Sequence, residues 1–254
     1  MNIDFMLNWS AGLTAPWSEE IAKMLPVVLL IGLAPKVMRC AFDGFIIGAI
    51  SGLAFQVFES VSYVYGSAAA NFGQAEYGTQ TLGIRTVMST GHWTWSALCG
   101  AGLIYLIGRP SEQRRRALGA GLILWAMFLH WAWDSIPALT GGAAWSIALY
   151  VPLSIVCVGS FVWVYHRTVV KEREWARALL APEVDRGVIT AEELDAVVGT
   201  RKDRKRFAKS QPHHRRAKHV LEATGDLADE IARAYAADTP DVEHARAEIA
   251  RLRG

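Results

Sequence analysis

ALGAGLILWAMFLHWAWDSIPA, residues 117–138, is an almost uninterrupted apolar run. It has the length that a helix needs to cross a hydrocarbon core of roughly 30 Å, which takes about 20 residues. Two ionisable side chains interrupt the run, His130 and Asp134, and they stand one helical turn apart. The stretch therefore predicts a transmembrane helix that carries polar side chains into the apolar layer.

The parts of the chain on either side of position 166 differ sharply in charge. Residues 1–166 carry 16 Asp, Glu, Lys and Arg side chains and nine of the ten tryptophans, whereas residues 167–254 carry the other 34 charged side chains. Such a division is typical of a membrane domain, here 1–166, followed by a solvated tail, here 167–254. It excludes a single soluble domain, a secreted disulfide scaffold and a wholly disordered chain.

Five segments are long and apolar enough to cross a bilayer. They predict an all-α fold, a polytopic bundle of about five transmembrane helices with a helical, charged cytoplasmic tail. The first segment has the weakest pattern, because charged residues crowd its start and Pro26 interrupts it. The chain does not begin with the basic region of a signal peptide, so none is expected. The five segments are 17–34, 40–65, 82–108, 117–138 and 143–166.

Lys and Arg side chains in the short connections indicate how the bundle is oriented. The connections after the first, third and fifth segments are basic, whereas the 66–81 connection holds Glu76 and no Lys or Arg, and the 139–142 turn is uncharged. This pattern predicts a multi-pass protein of the cell membrane with its N-terminus outside and its tail in the cytoplasm. A missing upstream helix or a late start codon would explain why so few residues precede the first segment.

Several ionisable residues fall inside the predicted membrane segments, where each costs about 2.5 to 3.5 kcal/mol at the bilayer centre. Pairing along one helix, as for Glu19 with Lys23, would make some of them simple structural contacts. Their predicted depths favour a shared site, because a rise of 1.5 Å per residue places acids and imidazoles from four helices in one layer of the outer leaflet. The residues are Glu19, Glu20, Lys23, Glu59, Arg85, His92, His130 and Asp134.

The residue types in this layer suit metal-assisted hydrolysis. Two imidazoles and a carboxylate make a good ligand set for a divalent metal, and Zn²⁺ is the commonest choice. Our predicted ligands are Glu59, His92 and His130. Asp134, one turn after His130, would hold that ring in the tautomer a metal needs. Tyr63, one turn after Glu59, could donate to a developing oxyanion.

Four motifs in this order resemble those of the PrsW-type intramembrane proteases. Residues 15–23, APWSEEIAK, are similar to that family's A-P-x-x-E-E-x-x-K motif, and residues 58–63, FESVSY, to its F-E-x-x-x-Y motif. Residues 92–96, HWTWS, and 130–134, HWAWD, are similar to its two histidine motifs. The resemblance covers about residues 13–138 and leaves the tail outside.

The resemblance implies a polytopic membrane endopeptidase, related to the glutamate-dependent group that includes the CAAX prenyl endopeptidases. It implies that the catalytic residues are Glu19, Glu20, Glu59, His92, His130 and Asp134. It also implies a substrate like that of other PrsW proteins, a single-pass anti-sigma factor cut on its extracytoplasmic side. A carboxylate of the Glu19/Glu20 pair would deprotonate a water. The motifs leave open whether a metal or a protonated histidine polarises the peptide carbonyl.

The tail is predicted to be helical, with a capping box at Thr190 and Glu193 and further helices over 219–237 and 242–252. Its basic stretch favours contact with anionic lipid over contact with nucleic acid, because it follows a membrane segment and aromatic residues are scarce around it. The basic residues are Arg201, Lys202, Arg204, Lys205, Arg206, Lys209, Arg215, Arg216 and Lys218.

Two other functions compete with proteolysis. A catalytically inert membrane scaffold or receptor would use the polar layer only to hold helices together. A proton-coupled transporter would use Glu and His side chains as a relay, but five segments without an internal repeat argue against it. The scaffold is therefore the main alternative.

Overall fold

The computed structural model describes residues 3–109, 112–234 and 236–253. The chain divides into two compact units, Met1–Thr168 and Val169–Gly254. We call them unit 1 and unit 2. The described residues of both units are mostly helical, and their one β-bridge pairs Arg109 with Glu112.

Unit 1 is a helical bundle. Its central helix, α4, packs against α2 and α5, while α1 packs against α5 and α2, and α3 packs against α2. A short 3₁₀ turn, Ala144–Ser146, precedes α6. The helices are α1 (Ile3–Leu33), α2 (Ala41–Ala70), α3 (Ala75–Val87), α4 (His92–Ile107), α5 (Arg116–Thr140) and α6 (Ile147–Asp185), the last of which continues past the end of unit 1.

The predicted third membrane segment, 82–108, is wrong as a single helix. The structure ends α3 at Val87 and begins α4 at His92, with a break between them. Gly91 stands before α4, and its carbonyl accepts hydrogen bonds from the backbone NH and the hydroxyl of Thr94. The side chains of Trp93 and Thr94 donate to backbone carbonyls at the break. The segment 82–108 is apolar on average, so its composition did not show that Ser89, Thr90 and Gly91 interrupt the helix.

Among the described residues, three helices are long and apolar enough to cross a membrane: α2, α5 and α6. The prediction of about five spans is therefore not confirmed, although the all-helical class and the apolar spans are. Helix α4 has 16 residues, which gives a length of roughly 24 Å, short of the hydrocarbon thickness. Helix α1 is longer than predicted, with 31 residues including Pro16 and Pro26.

Helices α2 and α4 approach until their backbones touch. The buried stripe of α2 has glycine at every fourth position, Gly44, Gly48 and Gly52. A Cβ added at Gly48 would lie 2.1 Å from the carbonyl oxygen of Ser96, and one at Gly52 would lie 2.3 Å from that of His92. Small residues at such spacing let helices pack closely, so these glycines determine where α4 stands.

We predict that Gly48→Ala destabilises unit 1. Alanine is normally the better helix former, but here its methyl group meets the backbone of α4, and overpacking of this kind costs about 1 to 3 kcal/mol. The melting temperature of the detergent-solubilised protein should fall.

Gly66→Ala is the matched control for this test, because Gly66 lies on the same helix and has open space around it. It should melt at or slightly above the wild-type temperature. A Gly48→Ala protein that melts no lower than Gly66→Ala would contradict the close packing.

Unit 2 contains the end of α6 and four further helices around its own apolar core, which includes Leu180, Leu227 and Ile249. The predicted capping box is confirmed: the Glu193 backbone NH donates to the Thr190 hydroxyl, and the Thr190 NH donates to the Glu193 carboxylate. The basic stretch, which begins before the predicted helix over 219–237, is in large part helical. The helices are α7 (Ala191–Val198), α8 (Arg201–Ser210), α9 (His214–Arg233) and α10 (Pro240–Arg253).

Arg246 of α10 is the centre of an ion-pair network in unit 2. It donates to both carboxylate oxygens of the buried Glu183, at 2.8 and 2.7 Å, and lies 2.8 Å from Asp238. Hydrogen bonding to Glu183 raises the pKa of Arg246, and the hydrogen bond from Arg246 lowers the pKa of Asp238 below its ordinary value of 3.8. The network therefore holds α10 against the end of α6.

We predict that Arg246→Gln loosens α10, because it leaves the buried Glu183 carboxylate short of donors, at a cost of about 1 to 3 kcal/mol. Hydrogen exchange of residues 240–253 in the full chain should become faster. Because the folded state lowers the pKa of Asp238, the contribution of this residue to the free energy of unfolding is present above about pH 4 and is lost as the pH falls further. Arg251→Gln, which removes only an exposed pair with Glu248, should leave the exchange nearly unchanged.

Candidate active site

The structure brings all six predicted catalytic residues together inside unit 1. Helix α1 supplies the two adjacent glutamates, α2 supplies Glu59, α4 supplies His92, and α5 supplies His130 and Asp134. The ring centroids of the two histidines are 5.2 Å apart. We call the assembled group, with the lysine that joins it, the polar cluster: Glu19, Glu20, Lys23, Glu59, His92, His130 and Asp134.

The buried face of α1 determines how its acids point. Gly12, Pro16, Glu20, Lys23 and Val27 recur every three or four residues and form its buried stripe. This pattern turns Glu20 fully inward, with no exposed surface, and leaves the neighbouring Glu19 with 24% of its side chain exposed. The two glutamates therefore have different environments although they are adjacent in sequence.

The Lys23 ammonium group lies in the middle of the polar cluster. It is 3.1 Å from Glu19 Oε2 and 2.9 Å from Glu20 Oε1, and it donates to His92 Nδ1 at 2.6 Å. The predicted pairing of Glu19 with Lys23 is therefore confirmed. The contact with His92 was not predicted, because it joins residues 69 positions apart.

His92 is the first residue of α4, and its two ring nitrogens face different partners. Nε2 lies 2.9 Å from Glu59 Oε2, and Nδ1 faces the Lys23 ammonium group. A carboxylate can only accept and an ammonium group can only donate. The network therefore assigns the proton to Nε2 and leaves the lone pair of Nδ1 directed into the polar cluster.

His130 has carboxylates near both of its ring nitrogens. Its Nε2 lies 3.3 Å from Asp134 Oδ2, and its Nδ1 lies 3.1 Å from Glu20 Oε1 without forming a hydrogen bond. The ring stacks on Trp95 with centroids 4.2 Å apart. Nε2 of His130 also lies 3.7 Å from Glu19 Oε2. Each histidine thus has a carboxylate of α2 or α5 at Nε2, its outer nitrogen, and both rings contact acids of α1.

Among the described residues, one group of three side chains could hold a metal ion: Glu19, His92 and His130, whose ligand atoms lie within 4.8 Å of one another. The structure thus places Glu19, rather than the predicted Glu59, with the two histidines. Glu59 instead contacts the outer nitrogen of His92. Its assignment as a ligand stays a prediction.

A cavity of about 250 Å³ opens beside the polar cluster. Its wall includes His92 and the two outer carboxylates, Glu59 and Asp134, so the cluster is accessible from this side. Tyr63 and Arg85 also line it, and the Arg85 guanidinium lies 4.2 Å from the centre of the Tyr63 ring. Arg85 also pairs with Glu59. No partner of Arg85 was predicted from the sequence, although a single arginine within an apolar segment indicates a nearby carboxylate.

A family model described as PrsW family intramembrane metalloprotease matches residues 2–164. The chain belongs to the PrsW family. As a PrsW protein it is an intramembrane peptidase, and the resemblance found in its motifs is confirmed. The match ends before unit 2 begins at Val169. No curated protein and no solved structure matches the chain.

The polar cluster fits the metal ion that the PrsW family implies. Two imidazoles and one carboxylate are a common ligand set for catalytic metals. Nδ1 of His130 is buried without a hydrogen bond, and Nδ1 of His92 already accepts from a cation. Carboxylates at the outer nitrogens of both rings are the usual orienting partners of metal-binding histidines.

Proposed function

We propose that this PrsW protein is a zinc-dependent endopeptidase that hydrolyses a peptide bond of a membrane-anchored regulatory protein, of the anti-sigma-factor type, near the extracytoplasmic face. The observation that carries the proposal is the arrangement of the two histidines. Each has an orienting carboxylate at Nε2, and both rings contact the acids of α1, including Glu19 Oε2 at 3.8 and 3.7 Å. Such preorganisation of ligands around one point is more than helix packing requires.

We assign the metal-holding role to Glu19, His92 and His130. When bound there, a divalent ion would polarise a peptide carbonyl and make a water more acidic. The contacts of Glu19 with Lys23 and with both imidazoles all involve Oε2. We therefore assign the proton of the attacking water to Oε1 of Glu19.

Glu20 has a supporting role in this mechanism. It has no exposed surface, and its two oxygens accept hydrogen bonds from Lys23 and from Ser96, the latter at 3.0 Å. A carboxylate enclosed in this way is poorly placed to meet a water. It instead holds the α1 lysine and faces the inner nitrogen of His130.

The charge pattern supports the proposed side of the membrane, and the family supports the proposed class of substrate. Basic connections on one side indicate that the N-terminus lies outside and that the polar cluster lies in the outer leaflet. A substrate with one membrane segment would present an extended stretch just outside it. Tyr63, in the wall of the cavity, would donate to the developing oxyanion.

We predict that Glu19→Gln abolishes cleavage, because it removes the proton acceptor and a ligand while keeping the shape of the side chain. Mapping new N-termini of single-pass membrane proteins in cells that carry the wild-type chain or the variant measures this directly. A substrate should show a new terminus on the extracytoplasmic side of its membrane segment, and only with the wild type.

Glu76→Gln is the matched control, since it makes the same change at an exposed acid of α3. It should cleave as the wild type does. If cells with Glu19→Gln show the same new termini as cells with the wild type, cleavage does not depend on Glu19, which would favour the inert scaffold. New termini on the cytoplasmic side of the membrane segment would contradict the proposed orientation.

We further propose that unit 2 contacts anionic lipid headgroups. A cleft of about 870 Å³ between α8 and α9, the basic cleft, has five basic residues and one acid in its wall. Unit 2 follows the last apolar segment directly in sequence, so the chain itself keeps it close to the bilayer. Each basic residue near an anionic membrane surface contributes about 1 kcal/mol to the free energy of membrane binding. The wall consists of Arg201, Lys202, Arg204, Lys205, Lys218, Leu221 and Glu222.

In nanodiscs that contain phosphatidylglycerol, residues 201–210 of the full chain should exchange hydrogen more slowly than in nanodiscs of phosphatidylcholine alone. The double variant Lys202→Glu, Lys205→Glu should remove the difference, because it reverses two charges of the basic cleft. Equal exchange of the wild type in both lipids would rule out lipid contact through this cleft.

A further inference from the structure

We propose that Arg85 is a positioning residue for His92 and that it acts through Glu59. The inference rests on the proposed function, since it concerns how a predicted metal-holding histidine is oriented. It assigns a role to a residue that lies outside the four family motifs. Three elements take part: Arg85 comes from α3, Glu59 from α2 and His92 from α4.

One oxygen of Glu59 contacts both Arg85 and His92. Oε2 of Glu59 accepts from Arg85 Nη2 and lies 2.9 Å from Nε2 of His92. A charged donor on a carboxylate forms a stronger and more directional bond than a neutral one. Arg85 therefore determines where this oxygen stands, and the oxygen determines where the His92 ring points.

Two further residues of α2 hold Arg85 in place. Its Nε donates to the Ser60 hydroxyl at 3.2 Å, and its guanidinium lies 4.2 Å from the centre of the Tyr63 ring. Ser60 and Tyr63 lie on the same helix as Glu59, one and four residues further along. A planar guanidinium held on two edges and one face has little freedom, so Glu59 receives a fixed partner.

The contacts from Arg85 through Glu59 to His92 cross the break between α3 and α4. Arg85 lies before the break and His92 immediately after it. No continuous helix joins these two residues, and the glycine contacts with α2 fix the backbone of α4, so the direction of the His92 ring is left to side-chain contacts. Glu59 joins both sides, and the tautomer of His92 that directs Nδ1 inward depends on this contact.

A purely structural ion pair would also join α2 to α3, and the experiment must separate the two roles. In the detergent-purified full chain, the zinc affinity of Arg85→Met, measured by competition with a chromophoric chelator, should be roughly 10- to 100-fold weaker than that of the wild type, the usual effect of losing an orienting partner. Arg85→Lys keeps a positive charge and should recover part of the loss. Glu76→Gln on the same helix should bind as the wild type does.

If the wild type binds zinc and Arg85→Met binds it equally well, the positioning role is overturned while the proposed function stands. If the wild type binds no zinc, the zinc proposal fails, and hydrogen exchange of residues 89–95 decides the inference. Arg85→Met and Glu59→Gln should each speed that exchange, and the double variant should add nothing more. Exchange at the wild-type rate in both single variants would overturn it.

Discussion

Charged groups buried in an apolar medium must be paired, and this constraint organises the membrane unit of the protein. Glu20 has no exposed surface, and Lys23 has almost none. Isolated in an apolar interior, either would be very costly. Together with the donors and acceptors of α2, α4 and α5 they form one connected cluster. The helices must therefore meet at this point, because separation would leave buried charges without partners.

The close contact of α2 and α4 makes that meeting geometrically possible. Gly48 and Gly52 bring the two backbones together, and a Cβ at Gly52 would strike the carbonyl of His92 itself. The same contact that packs the helices thus sets the position of a site residue. The break before α4 places His92 at a helix start, close to Glu59, instead of in the middle of a long span.

The polar cluster separates residues that the motifs leave equivalent. Glu19 and Glu20 are adjacent, yet one keeps exposed surface and contacts both imidazoles, and the other is enclosed. Glu59 and Asp134 occupy matching places at the outer nitrogens of the two histidines. The acids and imidazoles of the PrsW motifs thus occupy three kinds of position: an inner pair of acids, two imidazoles and an outer pair of acids.

The sequence by itself predicted the helical class, the membrane location and the ionisable residues that meet in the polar cluster, because apolar length and the cost of buried charge are properties of composition and spacing. It did not determine the break at residues 88–91, since the segment 82–108 is apolar on average despite Ser89, Thr90 and Gly91, nor the helical state of much of the basic stretch. Only the tertiary structure showed that Glu19 lies with the two histidines, that Glu59 contacts Nε2 of His92 and that Arg85 pairs with Glu59. Those assignments depend on differences of a few ångströms between side chains from separate helices, and no pattern along one helix encodes such distances.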